Sequence, residues 1–156
     1  MLLCPAAGTC AAQAGDFGFR FEVRHCLTER LDTFTSTFTK DLGGLSGNTV
    51  TAQLALTDAQ MTAIYRRIES IRFFDYPAVF TGIPPGAHES TMISPSTTYR
   101  FEVRNAGVIH GISWRDSNLP TTVEADRLRD LFSLVSGFIH EHTEFKRLPP
   151  GMAACE

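Results

Sequence analysis

The pentapeptide RFEVR occurs twice in this chain of 156 residues, at positions 20–24 and again at positions 100–104. In both copies apolar side chains alternate with charged ones. Because side chains along a β-strand point alternately to the two sheet faces, each copy predicts a strand with one buried face and one Arg–Glu–Arg face. The match extends by only one aromatic residue, Phe19 or Tyr99. We therefore interpret the repeat as sheet construction, in which cross-strand Arg–Glu neighbours support sheet edges; a duplicated strand–strand–helix unit is the alternative.

The sequence around the first copy predicts three antiparallel strands in a meander. Phe17, Phe19, Phe21 and Val23 form the buried side of the first strand. The stretch 28–40 predicts a second strand, with Phe34 and Phe38 on one face and threonines on the other (Thr33, Thr35, Thr37 and Thr39). Residues 49–56 predict the third strand. The threonine row is typical of a wet sheet face, although regular threonine rows also bind ice or flat polymers.

Two amphipathic helices are predicted. Thr57 and Gln60 form a capping box before an apolar stripe from Met61 to Ile71. A second capping box, Thr121 with Glu124, predicts a helix whose stripe includes Leu128, Leu131, Phe132, Val135, Phe138 and Ile139. Arg129 lies off this stripe and is expected to be solvated.

The second RFEVR copy begins a predicted hairpin that turns at Asn105–Gly107. We expect His110, Ile112 and Trp114 to point inward, because exposing Ile and Trp together is unfavourable. The sequence thus predicts an α+β two-layer sandwich, in the order βββα-ββα. A mostly antiparallel sheet of about five strands carries two helices on one face.

Residues 77–98 show neither helical nor strand periodicity and contain four prolines. Long irregular segments in compact domains are often functional. We expect Ala78–Ser96 to be a partner-binding loop, with Ile83, Pro84, Pro85 and His88 as its contact residues. The alternative is a spacer that covers the end of the sheet.

The first fourteen residues carry no charge and predict a truncated signal peptide followed by a single globular domain over residues 15–156. Ala12-Gln13-Ala14 resembles a signal-peptidase site, with cleavage before Gly15. Alternatively, AGTC is a lipobox that places a lipid anchor on Cys10, or the segment is a plain disordered terminus. Cys26 and Cys155 remain in the domain and can pair in an oxidising compartment.

The net charge of −3 carries no basic excess of the kind that nucleic-acid binders show. The sequence contains no transmembrane segment, no phosphate-binding loop and no G-x-S-x-G motif. HEHTE (140–144) lacks the second histidine of H-E-x-x-H, but His140 and Glu144 are expected to share a helical face. We predict no metal, no cofactor and no catalytic residue.

The segments LDTFTSTFTKD (31–41), LTDAQMTAIYRRI (56–68) and EFKRLPP (144–150) resemble small uncharacterised exported bacterial proteins, some of them lipoproteins. The resemblance implies export and carries no activity. The leading hypothesis is an exported cell-envelope binding or accessory domain without catalytic activity, whose partner is a protein or envelope component. The alternatives are a small hydrolase or metal-dependent enzyme using His110, His140 or His142, and a protease-inhibitor-like protein using the 78–96 loop.

Overall fold

The computed structural model describes residues 16–45, 47–86, 92–118 and 122–152. Within them the chain forms an α+β fold of seven strands and three helices. The strands are β1 (Gly18–Arg24), β2 (Thr28–Asp32), β3 (Thr37–Gly43), β4 (Asn48–Gln53), β5 (Val79–Phe80), β6 (Met92–Asn105) and β7 (Val108–Asn118). The helices are α1 (Asp58–Ser70), α2 (Val123–Glu141) and α3 (Thr143–Lys146), and a short 3₁₀ turn covers Phe73–Asp75.

The described strands form one mixed sheet in the order β4-β3-β2-β1-β6-β7-β5. All neighbouring pairs are antiparallel except β5 and β7, which are parallel. The α+β class and the mostly antiparallel sheet are therefore confirmed. The expected five strands, two helices and βββα-ββα order are wrong in detail, because the chain runs ββββα-βββα-α.

The meander has one strand more than the sequence predicts, because the chain turns where the alternating pattern indicates a continuous strand. The predicted second strand is two strands, β2 and β3, joined through residues 33–36. Asp32 Oδ1 accepts a hydrogen bond from the Phe34 N–H at 2.9 Å, and Ser36 adopts a left-handed conformation with φ 51°. The turn moves Phe34 to the opposite face from the buried Phe38, which corrects the expectation that both rings lie on one face.

The expected irregular loop at 77–98 is also interrupted. Ala78 O accepts from the Ser113 N–H at 2.8 Å, and the next two residues form β5 beside β7. β6 begins at Met92, well before the residues predicted to start the hairpin. Thus the segment without regular structure is shorter than the sequence pattern predicts.

The two RFEVR copies are direct neighbours at the centre of the sheet, in β1 and β6. Their antiparallel register places Phe21 opposite Phe101, Arg20 opposite Glu102, and Glu22 opposite Arg100. The two copies of RFEVR therefore pair with each other, and this pairing is the structural role of the repeat. The Arg–Glu pairs support the middle of the sheet and not its edges.

One sheet face packs against the helices and contains the core. The Phe132 ring of α2 lies 5.5 Å from Phe21, 4.6 Å from Tyr99 and 6.5 Å from Trp114, measured between ring centroids. Ile112 and Trp114 are buried on this face and His110 is half-buried, as predicted. The hairpin turn has Ala106 and Gly107 at positive φ, the geometry that suits a two-residue β-hairpin.

The ends of the helices follow the predicted capping chemistry only in part. The Thr57–Gln60 capping box of α1 is present. The N-cap of α2 is Thr122, whose hydroxyl accepts from the Ala125 N–H, so the prediction of a Thr121–Glu124 box is wrong. Thr121 itself lies outside the described residues.

The C-terminal segment lies along β3, next to the β1–β2 connection. The Met152 N–H donates to Leu42 O at 2.8 Å, and Gly151 packs so closely on Leu27 that a Cβ at this position would overlap it. Cys26, adjacent to Leu27, is disulfide-bonded. Residues 1–15, including Cys10, and residues 153–156, including Cys155, lie outside the described residues.

Candidate functional site

The sheet face opposite the helices, here called the outer face, presents charged and hydroxyl side chains in rows across the strands. The first row crosses β2, β1 and β6. Arg20 donates through Nε to Asp32 Oδ2 at 2.9 Å and through Nη1 to Glu102 Oε1 at 3.0 Å. Burial opposes ionisation of Asp32, but the Arg20 hydrogen bond and the backbone N–H donors outweigh it and lower the pKa of this carboxyl group.

The second row has the opposite charge pattern. Arg30 donates to Glu22 Oε2 through both Nε and Nη2, at 2.8 and 2.6 Å. On the other side of Glu22, the Arg100 guanidinium is 3.7 Å from Oε1 and its side chain is 69% exposed. Arg100 is therefore held more loosely than Arg30, whose side chain is 57% exposed.

The charge alternation stops at β7, where a cleft opens. Gly111 lies beside Glu102 and Ser113 beside Arg100, so the strand next to these two charges contributes almost no side-chain volume. The resulting cleft measures about 380 Å³ and is also lined by Ala78. A Cβ at Gly111 would meet its neighbours only at ordinary van der Waals distances, from 3.7 Å. The cleft thus joins three exposed guanidinium groups, two carboxylates and the backbone of β7, with Arg100 the most exposed of the cations.

An aromatic ring lies beside the first row, over the neighbouring Gly18–Arg104 pair. Phe34 covers Gly18 so closely that any larger residue there would overlap the ring. The guanidinium carbons of Arg104 and Arg20 lie 4.2 and 5.5 Å from the ring centroid. Arg20 therefore contacts two carboxylates and one ring, while more than half of its side chain stays exposed.

The predicted row of four threonines does not form on a single strand. Thr33 lies in the turn, where its hydroxyl both accepts from Phe19 N–H and donates to Phe19 O. Thr37 and Thr39 lie in β3, and the Thr39 and Thr51 hydroxyls are 3.4 Å apart across β3 and β4. The outer face therefore carries a two-strand threonine patch beside its charged centre.

The predicted loop residues divide between packing and solvent. Gly82 is buried and approaches Trp114 and Ala125, and Ile83 and Pro84 are half-buried. Pro85 is exposed, and His88 lies outside the described residues. The first part of this segment therefore packs on the core through Gly82.

The three histidines of the enzyme hypothesis contact three different groups. His110 Nε2 lies 2.8 Å from Tyr76 O, His140 Nε2 lies 2.8 Å from Glu29 Oε2, and His142 Nε2 lies 3.2 Å from Ala55 O. Because a carbonyl or carboxylate oxygen can only accept, each Nε2 acts as a donor. Each histidine thus stabilises a junction between elements.

The HEHTE segment is divided between two helices, which corrects the prediction that His140 and Glu144 share one helical face. α2 ends at Glu141, and His142 is the N-cap of α3, accepting from the Glu144 N–H through Nδ1 at 3.1 Å. Glu144 pairs with Arg147. Within the described ranges, no group of three or more His, Cys, Asp or Glu side chains is arranged to hold a metal ion.

Comparison of the chain with protein-family models and with curated proteins finds no match. None of the helices in the described ranges is both long enough and apolar enough to span a membrane.

Sequence reasoning missed the cleft because its walls come from distant strands. Arg100 and Glu102 belong to a motif that the sequence does single out, but Gly111, Ser113 and Ala78 are individually unremarkable residues. The available signal was the IHGISW stretch, in which small residues replace the charged side chains that alternate in both RFEVR copies.

Proposed function

We propose that this protein is an exported binding domain of the bacterial cell envelope, that it acts without catalysis, and that it holds its partner on the outer face of the sheet. The observation that carries the proposal is the cleft above Gly111 and Ser113, beside the exposed Arg100. A rigid sheet face with preformed charges loses little conformational entropy on binding, which favours recognition of another surface.

Two features support export. Ala12-Gln13-Ala14 has the small-x-small pattern of a signal-peptidase site. Cys26 is disulfide-bonded, and disulfides persist mainly in oxidising compartments. N-terminal mass spectrometry on protein from the native host tests this part. We expect a chain that starts at Gly15; a lipidated Cys10 selects the anchored form, and an intact Met1 contradicts export.

The contacts of the histidines favour binding over hydrolysis. The three histidines contact three separate junctions, none of them lines the cleft, and His142 uses both ring nitrogens, since its Nδ1 accepts from the Glu144 N–H. The inhibitor alternative rests on the 78–96 loop, whose Ile83 and Pro84 are half-buried. Both observations make the cleft the better candidate for partner contact.

The test compares capture of partners from an envelope extract by matched variants. Gly111→Leu adds a side chain to the cleft at a position where a Cβ meets only ordinary van der Waals contacts, and Gly137→Leu adds the same side chain at an open position on α2. Arg100→Glu reverses the exposed charge, and Arg66→Glu does so on the exposed side of α1. We expect the two cleft variants to lose capture of a partner that the wild type and both controls retain.

Replacing residues 83–87 with a Gly/Ser stretch separates the cleft from the loop. On the cleft hypothesis this variant keeps its partner. Loss of capture in the loop variant, with capture retained by Gly111→Leu and Arg100→Glu, would instead assign recognition to the loop and favour the inhibitor alternative.

A further inference from the structure

The two edges of the sheet are protected very differently. At one edge, β7 is covered by the two-residue β5 and by the preceding segment, through the Ser113–Ala78 and His110–Tyr76 hydrogen bonds. At the other edge, β4 pairs with β3 alone among the described residues. In the part of the chain that the structure describes, no strand pairs with the outward backbone groups of β4.

The sequence of β4, NTVTAQ, has none of the features that usually protect an edge strand. It contains no charged residue and no proline, and its pairing with β3 is regular from Gln53 to Thr49. The one irregularity lies beyond these residues, between Asp41 and Gly43. Edge strands in monomeric proteins are commonly blunted by charges, prolines or bulges, so an uncharged and regular edge is suited to strand addition.

We propose that β4 pairs antiparallel with β4 of a second copy of this chain, which joins the two sheets about a two-fold axis. A pairing centred on Val50 places Thr49 opposite Thr51 of the partner subunit. It also keeps every side chain on its own face, because residues two apart share a face. Thr39 and Thr51 already show this hydroxyl pairing within one copy, at 3.4 Å.

An exposed leucine at the same edge supports this occupant. Leu45 lies in the turn between β3 and β4 and is fully exposed. In the pairing centred on Val50, the turn that carries Leu45 lies next to the end of β4 of the partner subunit, because the two strands run in opposite directions. The two-fold arrangement thus gives each exposed leucine a protein surface to contact, and the uncharged edges bring no like charges together.

Sedimentation analysis of the oxidised full-length chain over a range of concentrations tests the proposal. We expect a reversible monomer–dimer equilibrium for the wild type, weak because one strand pair forms a small interface. Thr51→Lys adds one positive charge per copy on the same face, each opposite Thr49 of the partner subunit and diagonal to the other across the axis, and this like-charge repulsion should weaken dimerisation at least about tenfold. Leu45→Ser should weaken it too, whereas Thr62→Lys, which adds the same charge on the exposed side of α1, should leave it unchanged.

Hydrogen exchange supplies a second measurement, with circular dichroism to confirm that each variant folds. We expect β4 amides to lose protection on dilution, while β1 amides keep theirs. A wild type that stays monomeric at every soluble concentration overturns the proposal, as does a dimer insensitive to Thr51→Lys. Because Gly111→Leu lies at a different site, its effect on partner capture does not bear on this result.

Discussion

At the scale of single residues, Arg129 joins α2 to β7 through a charged pair with Asp116. This residue lies off the apolar stripe of α2, and the sequence predicts a solvated side chain. Instead it donates to both Asp116 oxygens, at 2.8 and 2.6 Å, and lies over the Trp114 ring. Its side chain is only 30% exposed. The stripe could not predict this, because Asp116 comes from β7, which is distant along the chain.

Arg129→Ala should therefore lower the free energy of unfolding by about 1–3 kcal/mol, since it removes a bidentate charged pair and a cation–π contact. Arg127→Ala, at an exposed position of the same helix, should change it by less than about 0.5 kcal/mol. Urea titration of both variants makes the comparison. Equal small losses would mean that the Asp116 contact contributes nothing measurable.

Asp32 should make stability depend on acid pH. Its folded-state pKa is lowered, so its contribution is present above the unfolded-state value of about 4 and is lost as the pH falls through the folded-state pKa. Asp32→Asn should destabilise the protein more at about pH 7 than at about pH 3. Asp130→Asn removes an exposed carboxylate from α2 as the control. An Asp32→Asn effect of the same size at both pH values would contradict this assignment.

At the scale of elements, local sequence signals predict best where they act within a few residues. The capping box of α1 and the Asn105–Gly107 turn each depend on neighbours along the chain. The β2–β3 turn is not predicted from the sequence, because residues 33–36 contain no glycine or proline and the threonines around it favour a strand. β5 is not predicted either, because two residues are too few to show a periodicity and they pair with β7, which comes later in the chain.

The start of α2 offers a direct test of a capping correction. Thr122→Ala removes the hydroxyl that accepts from the Ala125 N–H and should cost about 1 kcal/mol. Thr121→Ala is the comparison, because the sequence alone assigns the cap to that residue. Thermal unfolding of both variants decides between them. A larger loss from Thr121→Ala would restore the original assignment.

At the scale of the whole molecule, the core is the part that sequence reasoning predicted most completely. The apolar stripes of both helices and the inner faces of both RFEVR copies are buried together. Which strand lies beside which could not be predicted, because strand order is set by contacts between distant residues. The cleft depends on that order and so remained invisible in the sequence.

Phe132→Ala should cost about 3–5 kcal/mol of unfolding free energy, because the ring lies among four other aromatic rings of the sheet. Ser133→Ala, one residue along on the exposed side of α2, should be nearly neutral. Denaturant unfolding with a constant m-value provides the measurement. Similar losses for the two variants would mean that α2 is rotated from the orientation described here.

The disulfide of Cys26 should link it to Cys155. Gly151 packs on Leu27, next to Cys26, and four residues of extended chain span about 13–14 Å, enough to return to that cysteine. Peptide mapping without reduction, on protein from the native host, should recover a Cys26–Cys155 pair. A bond from Cys26 to Cys4 or Cys10, or a free Cys26 thiol, would exclude this connectivity.

The pairing of the two RFEVR copies also has a consequence for the order of folding. β1 to β4 are contiguous in sequence, but β1 cannot acquire its second neighbour until a segment about 80 residues later has been synthesised. Closing so long a loop is entropically slow, so this sheet has a high contact order at its centre. A growing chain that ends before β6 leaves the β1 edge open, with the Phe19 and Phe21 rings uncovered. We expect incomplete chains of this kind to aggregate through the open β1 edge unless a chaperone binds them first.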